Sequence, residues 1–139
     1  MTDSGELSTW QKASSMGDIL GVTLYRVIRT RGGYVWSYGW MPASVYKIRA
    51  DLWGRDFNNY IISELQAEPW FDGGTPLDTK INIQEQTGSL DQMKANIEFA
   101  KKVGASRAYF WGVEWWYWMK TVQKNPAYWD EAKKELGNK

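Results

Sequence analysis

Short apolar runs alternate with amphipathic segments along this chain of 139 residues. Residues 19–25 (ILGVTLY) are almost continuously β-prone, which is typical of a strand buried on both faces. Residues 59–66 and 107–113 predict two more strands. Helical periodicity fills much of the sequence between these runs. The pattern therefore predicts an α/β fold whose strands are parallel and joined by right-handed crossovers.

Helical patterns precede, separate and follow the predicted strands. The first helix is expected to start in the acidic segment at residues 3–6, which resembles a capping box, and to end near Gly17. The second begins at about Ala43 and ends at Gly54. Its predicted buried face consists of Val45, Ile48, Leu52 and Trp53.

The third helix has the clearest signals. Ser89 and Gln92 form a capping box at its start, and Gly104 ends it behind a pair of lysines. Its buried stripe is predicted to consist of Leu90, Met93, Ile97 and Ala100. A tryptophan-rich turn and a Lys- and Glu-rich helix are expected over residues 114–137.

Two long connections follow the ends of the first and second predicted strands. Residues 26–42 contain Gly32 and Gly33 among alternating residues, and they predict a small β-hairpin. Residues 67–88 lack a helical period, so we expect a loop there. Loops at the carboxyl ends of parallel strands carry the ligand sites of many α/β proteins. The strand ends are therefore the expected location of a functional site.

Composition and charge exclude several classes of function. The net charge is +1, so the chain has no electrostatic basis for binding nucleic acid or an anionic membrane surface. No apolar run approaches the roughly 20 residues of a membrane span. The absence of cysteine and histidine excludes thiolate and imidazole metal sites and a Ser-His-Asp triad. We therefore expect no metal and no cofactor, and acid–base chemistry must come from carboxylates, lysine or tyrosine.

Aromatic residues are unusually frequent, with ten Trp and eight Tyr. Most of them are expected to pack in the core, but a Trp ring also offers a flat apolar face on which a sugar ring can stack. Several polar and aromatic residues lie at the three strand ends, where a parallel sheet would bring them into one carbohydrate-binding cleft. These residues are Tyr25, Arg26, Glu64, Gln66, Glu68, Trp70, Trp111, Glu114 and Trp115.

Some of these candidates also have a purely structural interpretation. Tyr25 could be a core residue with its hydroxyl at the rim of the sheet, and Trp115 could pack a helix onto the sheet. Glu68 competes with Glu64 for the reactive position, because alternate residues of an extended strand share a face. We favour Glu64, since it lies closer to the apolar run, where the backbone is most rigid.

At these positions the chain resembles the C-terminal half of the (βα)8-barrel glycoside hydrolases of clan A, a group that includes cellulases, mannanases and β-galactosidases. IISE at residues 61–64 is similar to the seventh strand of that group with its terminal nucleophile. AYFWG at residues 108–112 resembles the eighth strand with its sugar-stacking Trp, and GVTLYR at residues 21–26 resembles the sixth. The resemblance covers nearly the whole chain, residues 1–139, as a single partial barrel domain.

The resemblance implies a retaining mechanism with a carbohydrate substrate. Glu64 would be the nucleophile, Tyr25 would orient it, and a second carboxyl group would act as acid and base about 5–5.5 Å away. Glu68 would lie behind the nucleophile or bind a sugar hydroxyl. The expected substrate-binding residues are Arg26, Gln66, Trp70, Trp111, Glu114 and Trp115.

The chain departs from the family pattern in one important respect. Clan-A enzymes carry their acid/base on the fourth strand, and strands one to four have no counterpart here. A closed barrel takes about 250 residues, so we expect the chain to be inactive alone and to need a missing N-terminal half or a second copy of itself. The open alternative is a non-catalytic carbohydrate-binding or interaction module that uses its aromatic surface.

Overall fold

The computed structural model describes residues 7–56, 58–71 and 73–137. The predicted capping box at residues 3–6 lies outside these ranges. Within them, helices and strands alternate along the chain. In chain order the elements are α1 (Leu7–Ser15), β1 (Leu20–Leu24), β2 (Val27–Arg29), β3 (Val35–Ser37), α2 (Ala43–Leu52), β4 (Tyr60–Gln66), α3 (Ile81–Gly88), α4 (Leu90–Val103), β5 (Ala108–Trp111), α5 (Val113–Thr121) and α6 (Ala127–Gly137).

The three predicted strands pair in one parallel sheet, in the order β1-β4-β5. The predicted α/β class and the parallel arrangement are therefore confirmed. The predicted hairpin is also present, because β2 and β3 pair in antiparallel fashion. Parallel strands end at a common edge of their sheet. We call this edge, formed by residues 25–26, 64–70 and 111–114, the rim.

The central strand β4 contains a β-bulge. Val22 of β1 pairs with Ile62, but the next residue, Thr23, pairs with Glu64, so β4 has one extra residue. The pairing with β5 shifts in the same stretch. Ile62 and Leu65 are both buried, whereas the two residues between them are partly exposed. The bulge therefore turns two consecutive side chains away from the core.

The core lies on one face of the sheet, where strand residues pack against the helices. Its strand members are Leu20, Val22, Leu24, Tyr60, Ile62 and Leu65. On the second face Gly21 lies close to Ser63, since a Cβ on Gly21 would lie only 3.2 Å from Ser63 Cβ. Ser63 is partly exposed there, and Tyr109 of β5 is about half exposed. The second face is thus only partly covered.

Helix α2 buries a different face from the predicted one. Tyr46 and Ala50 are buried, whereas Ile48 and Leu52 are exposed. The Tyr46 ring packs edge-on against Phe99 of α4, with 5.8 Å between ring centroids. Of the predicted stripe, Val45 and Trp53 are partly buried against the core. Ile48 and Leu52 were wrong, because α2 faces α4 through an aromatic and a small side chain rather than through these aliphatic residues.

Two helices lie where none was predicted. Helix α3 is within the connection expected to be a loop, and its buried side chains include Gln84 and Thr87. Because these side chains are polar, no apolar period marks the helix in the sequence. Helix α5 replaces the expected tryptophan-rich turn and buries Trp115 and Trp116.

Helix α4 agrees with its prediction in detail. The capping box is present, with Ser89 Oγ accepting from the Gln92 amide and the Gln92 side chain accepting from the Ser89 amide. Met93, Ile97 and Ala100 are buried. Gly104 ends the helix in the left-handed conformation, with φ of 81°.

Gly104→Ala should lower the free energy of unfolding by about 1–2 kcal/mol, because a residue with a Cβ is strained in the left-handed region. The new methyl group would meet only the Lys47 side chain, at 3.9 Å, so the loss would come from the backbone conformation. Urea unfolding followed by circular dichroism measures the change. Gly137→Ala is the matched control, since its Cβ would enter open space. An equal loss in both variants would contradict the conformational explanation.

Candidate functional site at the rim of the sheet

A hydrogen bond joins the ends of two neighbouring strands at the rim. Tyr25 directly follows β1, and its hydroxyl donates to Glu64 Oε2 of β4 at 3.0 Å. Both side chains are partly exposed. The bulge in β4 places Glu64 opposite Thr23, on the side of the strand that faces away from the core. The bond therefore orients a solvent-accessible carboxylate.

Trp70 completes this part of the rim. Its ring meets the Tyr25 ring edge-on, with centroids 5.1 Å apart and planes at 81°. Its backbone amide donates to Thr87 Oγ1 of α3 at 3.0 Å, which fixes the chain where it leaves β4. The ring is 37% exposed. Trp70, Tyr25 and Glu64 thus form one contiguous surface.

A second carboxylate lies beside the end of β5. Glu68 is partly buried next to Gly112. Burial raises the pKa of the Glu68 carboxyl above its ordinary value, the side chain of Trp111 opposes this rise, and the charge of Glu114 adds to it. Glu114 itself is exposed in the first turn of α5. The rim therefore has a second partly buried carboxyl group besides that of Glu64.

Gly112 makes the approach of these two segments possible. It precedes α5 with φ of 136°, a conformation that L side chains rarely adopt. A Cβ at this position would lie 2.7 Å from Glu68 Cβ and 3.1 Å from the Ala67 carbonyl carbon. Only glycine leaves room for the end of β5 to pack directly against residues 67–68.

Gln66 does not contact the cleft, and its assignment as a substrate-binding residue is corrected. It is 1% exposed. Its Oε1 accepts from the backbone amides of Arg26 at 2.9 Å and Val27 at 3.0 Å, and its Nε2 donates to the carbonyls of Val27 and Thr87. Because every polar atom of the amide is occupied by backbone, Gln66 holds the base of the β2–β3 hairpin against β4.

Trp115 is also corrected from a substrate-binding to a structural residue. It is 2% exposed, and its indole N–H donates to Gln84 Oε1 at 2.7 Å. Its ring packs edge-on against Tyr128 of α6, with centroids 4.5 Å apart. The fold therefore supports the alternative in which Trp115 packs a helix into the core.

Arg26 points towards the helices rather than across the rim. Its guanidinium group lies 3.8 Å from the centre of the Phe99 ring of α4, a cation–π contact. Burial lowers the pKa of Arg26, and Tyr46 has the opposite, smaller effect. We therefore assign Arg26 to the packing between the hairpin base and α4 and not to substrate binding.

Sequence analysis missed a layer of buried polar residues beneath the rim. Thr87 accepts from the Trp70 amide, and Asn96 of α4 donates to the Gln66 carbonyl at 3.0 Å. Both side chains are at most 4% exposed. Their polar character suggests solvent-facing positions in a helix, so no signal in the sequence indicated that they support the site.

The described residues contain no group of three or more His, Cys, Asp or Glu side chains that could hold a metal ion. No helix in the described ranges is long and apolar enough to cross a membrane. Comparison of the chain with models of protein families, with curated proteins and with solved structures gave no match. The geometry of the rim, where an oriented carboxylate lies beside aromatic rings, is therefore the basis for assigning a function.

Gln66→Leu should lower the free energy of unfolding by at least about 2 kcal/mol, because it leaves the buried Val27 amide and the partly buried Arg26 amide without an acceptor. Urea unfolding measures the loss. Gln86→Leu is the matched control. Gln86 is exposed and accepts one bond from Arg29, so its loss should stay within about 0.5 kcal/mol. Similar losses for the two variants would argue against the anchoring role of Gln66.

Proposed function

We propose that the chain supplies the C-terminal part of a retaining (βα)8-barrel glycoside hydrolase, with Glu64 as its nucleophile. The observation that carries this proposal is the bond from Tyr25 to Glu64 across two parallel strand ends. A carboxylate that attacks a sugar must be both accessible and held in one direction. Glu64 meets both conditions, and Trp70 and Trp111 provide half-exposed rings at the same rim.

The proposed chemistry is a double displacement at the anomeric carbon. A Glu64 oxygen forms a bond to that carbon as the bond to the leaving oxygen breaks, and a second carboxyl group protonates the leaving oxygen. Water then attacks the glycosyl–Glu64 ester and gives up its proton to that second group, which restores Glu64. In the family that the sequence resembles, the second group belongs to the fourth strand.

The remainder of the barrel is part of the same proposal. The three parallel strands would be the last three of eight, and the partly covered second face would line the interior of the barrel. The free edge of β5 would pair with a strand outside the described sheet. The missing units would come from an N-terminal half or a second copy of the chain, and they would bring the acid/base.

A specific feature favours a second candidate, a non-catalytic carbohydrate-binding module. The β2–β3 hairpin and the turn after it expose Tyr34, Trp36 and Trp40, with Tyr34 78% exposed. The Arg29 guanidinium group donates a hydrogen bond to the Ile83 carbonyl of α3 at 3.0 Å, which holds the hairpin against α3. A fixed set of exposed rings can bind sugars without any reactive carboxylate. In that case Glu64→Gln would leave sugar binding intact.

Labelling with 2,4-dinitrophenyl 2-deoxy-2-fluoro-β-glycosides of the gluco, manno and galacto series should attach one fluorosugar to Glu64. Dinitrophenolate leaves without protonation, so the missing acid is not required for this step. Intact-mass and peptide-mass spectrometry measure the label, for the chain alone and mixed with the first five units of a clan-A barrel.

Glu64→Gln should abolish this labelling, since an amide cannot form the glycosyl ester. Glu98→Gln is the matched control, because Glu98 is an exposed carboxylate on α4 that pairs with Lys101. The Glu98→Gln variant should be labelled on Glu64 as the wild type is. A label on another carboxylate, or no label in the mixture with the complementing units, would count against Glu64 as the nucleophile.

Tyr25→Phe should slow the labelling of Glu64 about 10- to 100-fold, because it removes a hydrogen bond to a charged group while keeping the ring. The rate of mass increase measures the effect. Tyr117→Phe, at an exposed position of α5, should leave the rate unchanged. An unaltered rate in Tyr25→Phe would show that the bond to Tyr25 does not orient the nucleophile.

A further inference from the structure

Trp70 contacts protein as well as solvent at the rim. Its ring meets the Tyr25 ring edge-on, with 5.1 Å between the centroids and 81° between the planes. The same tyrosine donates its hydroxyl to Glu64 Oε2 at 3.0 Å. Trp70 therefore packs against the side chain that orients the proposed nucleophile.

The backbone that carries Trp70 is held by the end of α3. The Trp70 amide donates to Thr87 Oγ1 at 3.0 Å, and Thr87 is 1% exposed. Gly88 lies so close to the preceding residue that a Cβ on it would be 2.6 Å from Pro69 Cα. The proline ring also fixes the φ angle of Pro69. The Trp70 ring is therefore attached to a segment with little freedom, and it can restrict the side chain beside it.

Tyr25 depends on such a neighbour more than a core residue would. It is the first residue beyond β1, and its side chain is partly exposed. A change of its χ1 rotamer would move the hydroxyl away from Glu64. Edge-on packing of two aromatic rings is favourable beyond the area that it buries. Because the rotamer that makes the ring contact also makes the hydrogen bond, the two interactions support each other.

We propose that Trp70 is a positioning residue that acts on Glu64 through Tyr25. This inference rests on the proposed function, since it gives Glu64 the reactive role. The edge-on contact favours the Tyr25 rotamer that donates to Glu64, so the carboxylate is oriented before the sugar binds. Orientation of a reacting group raises the rate of the chemical step, whereas a ring that only stacks on the sugar changes the affinity.

The rotamer of Tyr25 can be measured in ¹³C,¹⁵N-labelled chain through the three-bond couplings from its backbone nitrogen and carbonyl carbon to Cγ. The wild type should show a single rotamer. Trp70→Leu should give couplings averaged over several rotamers, whereas Trp70→Phe, which keeps an aromatic ring, should retain one. If Tyr25 keeps a single rotamer in Trp70→Leu, the positioning role is overturned. Thr87→Val, which removes the acceptor of the Trp70 amide, decides the question in the same way if Trp70→Leu does not fold.

The labelling of Glu64 by the dinitrophenyl fluoroglycosides measures the chemical consequence, with the rate constant of labelling separated from the dissociation constant of the reagent. Trp70→Leu should lower the rate constant about 2- to 10-fold. In a Tyr25→Phe background the same substitution should lower it no further, because the hydroxyl through which Trp70 acts is absent. An undiminished effect in that background, or a change confined to the dissociation constant, would contradict the positioning role.

Trp129→Leu is the matched control. Trp129 of α6 meets the Tyr117 ring edge-on, with centroids 6.0 Å apart, and neither residue is part of the rim. The variant therefore removes the same kind of contact elsewhere in the fold. It should leave the Tyr25 couplings and the rate constant of labelling unchanged. Equal effects of Trp129→Leu and Trp70→Leu would indicate a general loss of packing and would also overturn the inference.

The two proposals fail in different ways. If Trp70→Leu releases the Tyr25 rotamer but Glu64 is never labelled, even with the complementing units, the glycosidase function is overturned and the packing of Trp70 on Tyr25 stands. If Glu64 is labelled while Trp70→Leu changes neither the rotamer nor the rate constant, the proposed function stands and the positioning role falls.

Discussion

The β-bulge in β4 is the feature on which the arrangement of the rim depends. In a regular strand, alternate side chains face opposite sides, so Ile62 and Leu65 could not both enter the same core. One extra residue between them allows both side chains to be buried, and Ser63 and Glu64 face outward together. A regular β4 would direct Glu64 into the core or Leu65 out of it. The accessible position of Glu64 and the packing of the central strand therefore have one common cause.

The rim is held in place by buried polar side chains. They form hydrogen bonds with backbone groups that lie beyond the strand ends and therefore have no partner in the sheet. On one side, Gln66 accepts a hydrogen bond from the hairpin base. On the other side, Asn96 and Thr87 form hydrogen bonds with the chain that leaves β4. Buried backbone groups need such partners, since an unsatisfied donor or acceptor is costly. This polar layer connects α3 and α4 to the rim, so packing of these helices is coupled to the geometry of the site.

The sequence was sufficient for the features that depend on local pattern. The three strands, the hairpin at Gly32 and the capped helix α4 have signals within a few residues of one another, and all are present in the structure. The features that it did not predict depend on distant contacts. Helix α3 is stabilised through polar residues. Gln66 was wrongly assigned to the cleft, because its bonds to the hairpin base join residues 39 and 40 positions apart and have no local signal in the sequence.

Position relative to the core, rather than residue type, separates Glu64 from Glu68. Glu64 follows the apolar part of β4, where pairing on both sides restrains the backbone, and its partner is a hydroxyl that leaves the carboxylate accessible. Glu68 lies beyond the strand and is packed against Gly112, and burial raises the pKa of its carboxyl. Environment assigns different roles to identical carboxylates in many enzymes. At this rim the same principle is the basis for proposing a reactive role for Glu64 and not for Glu68.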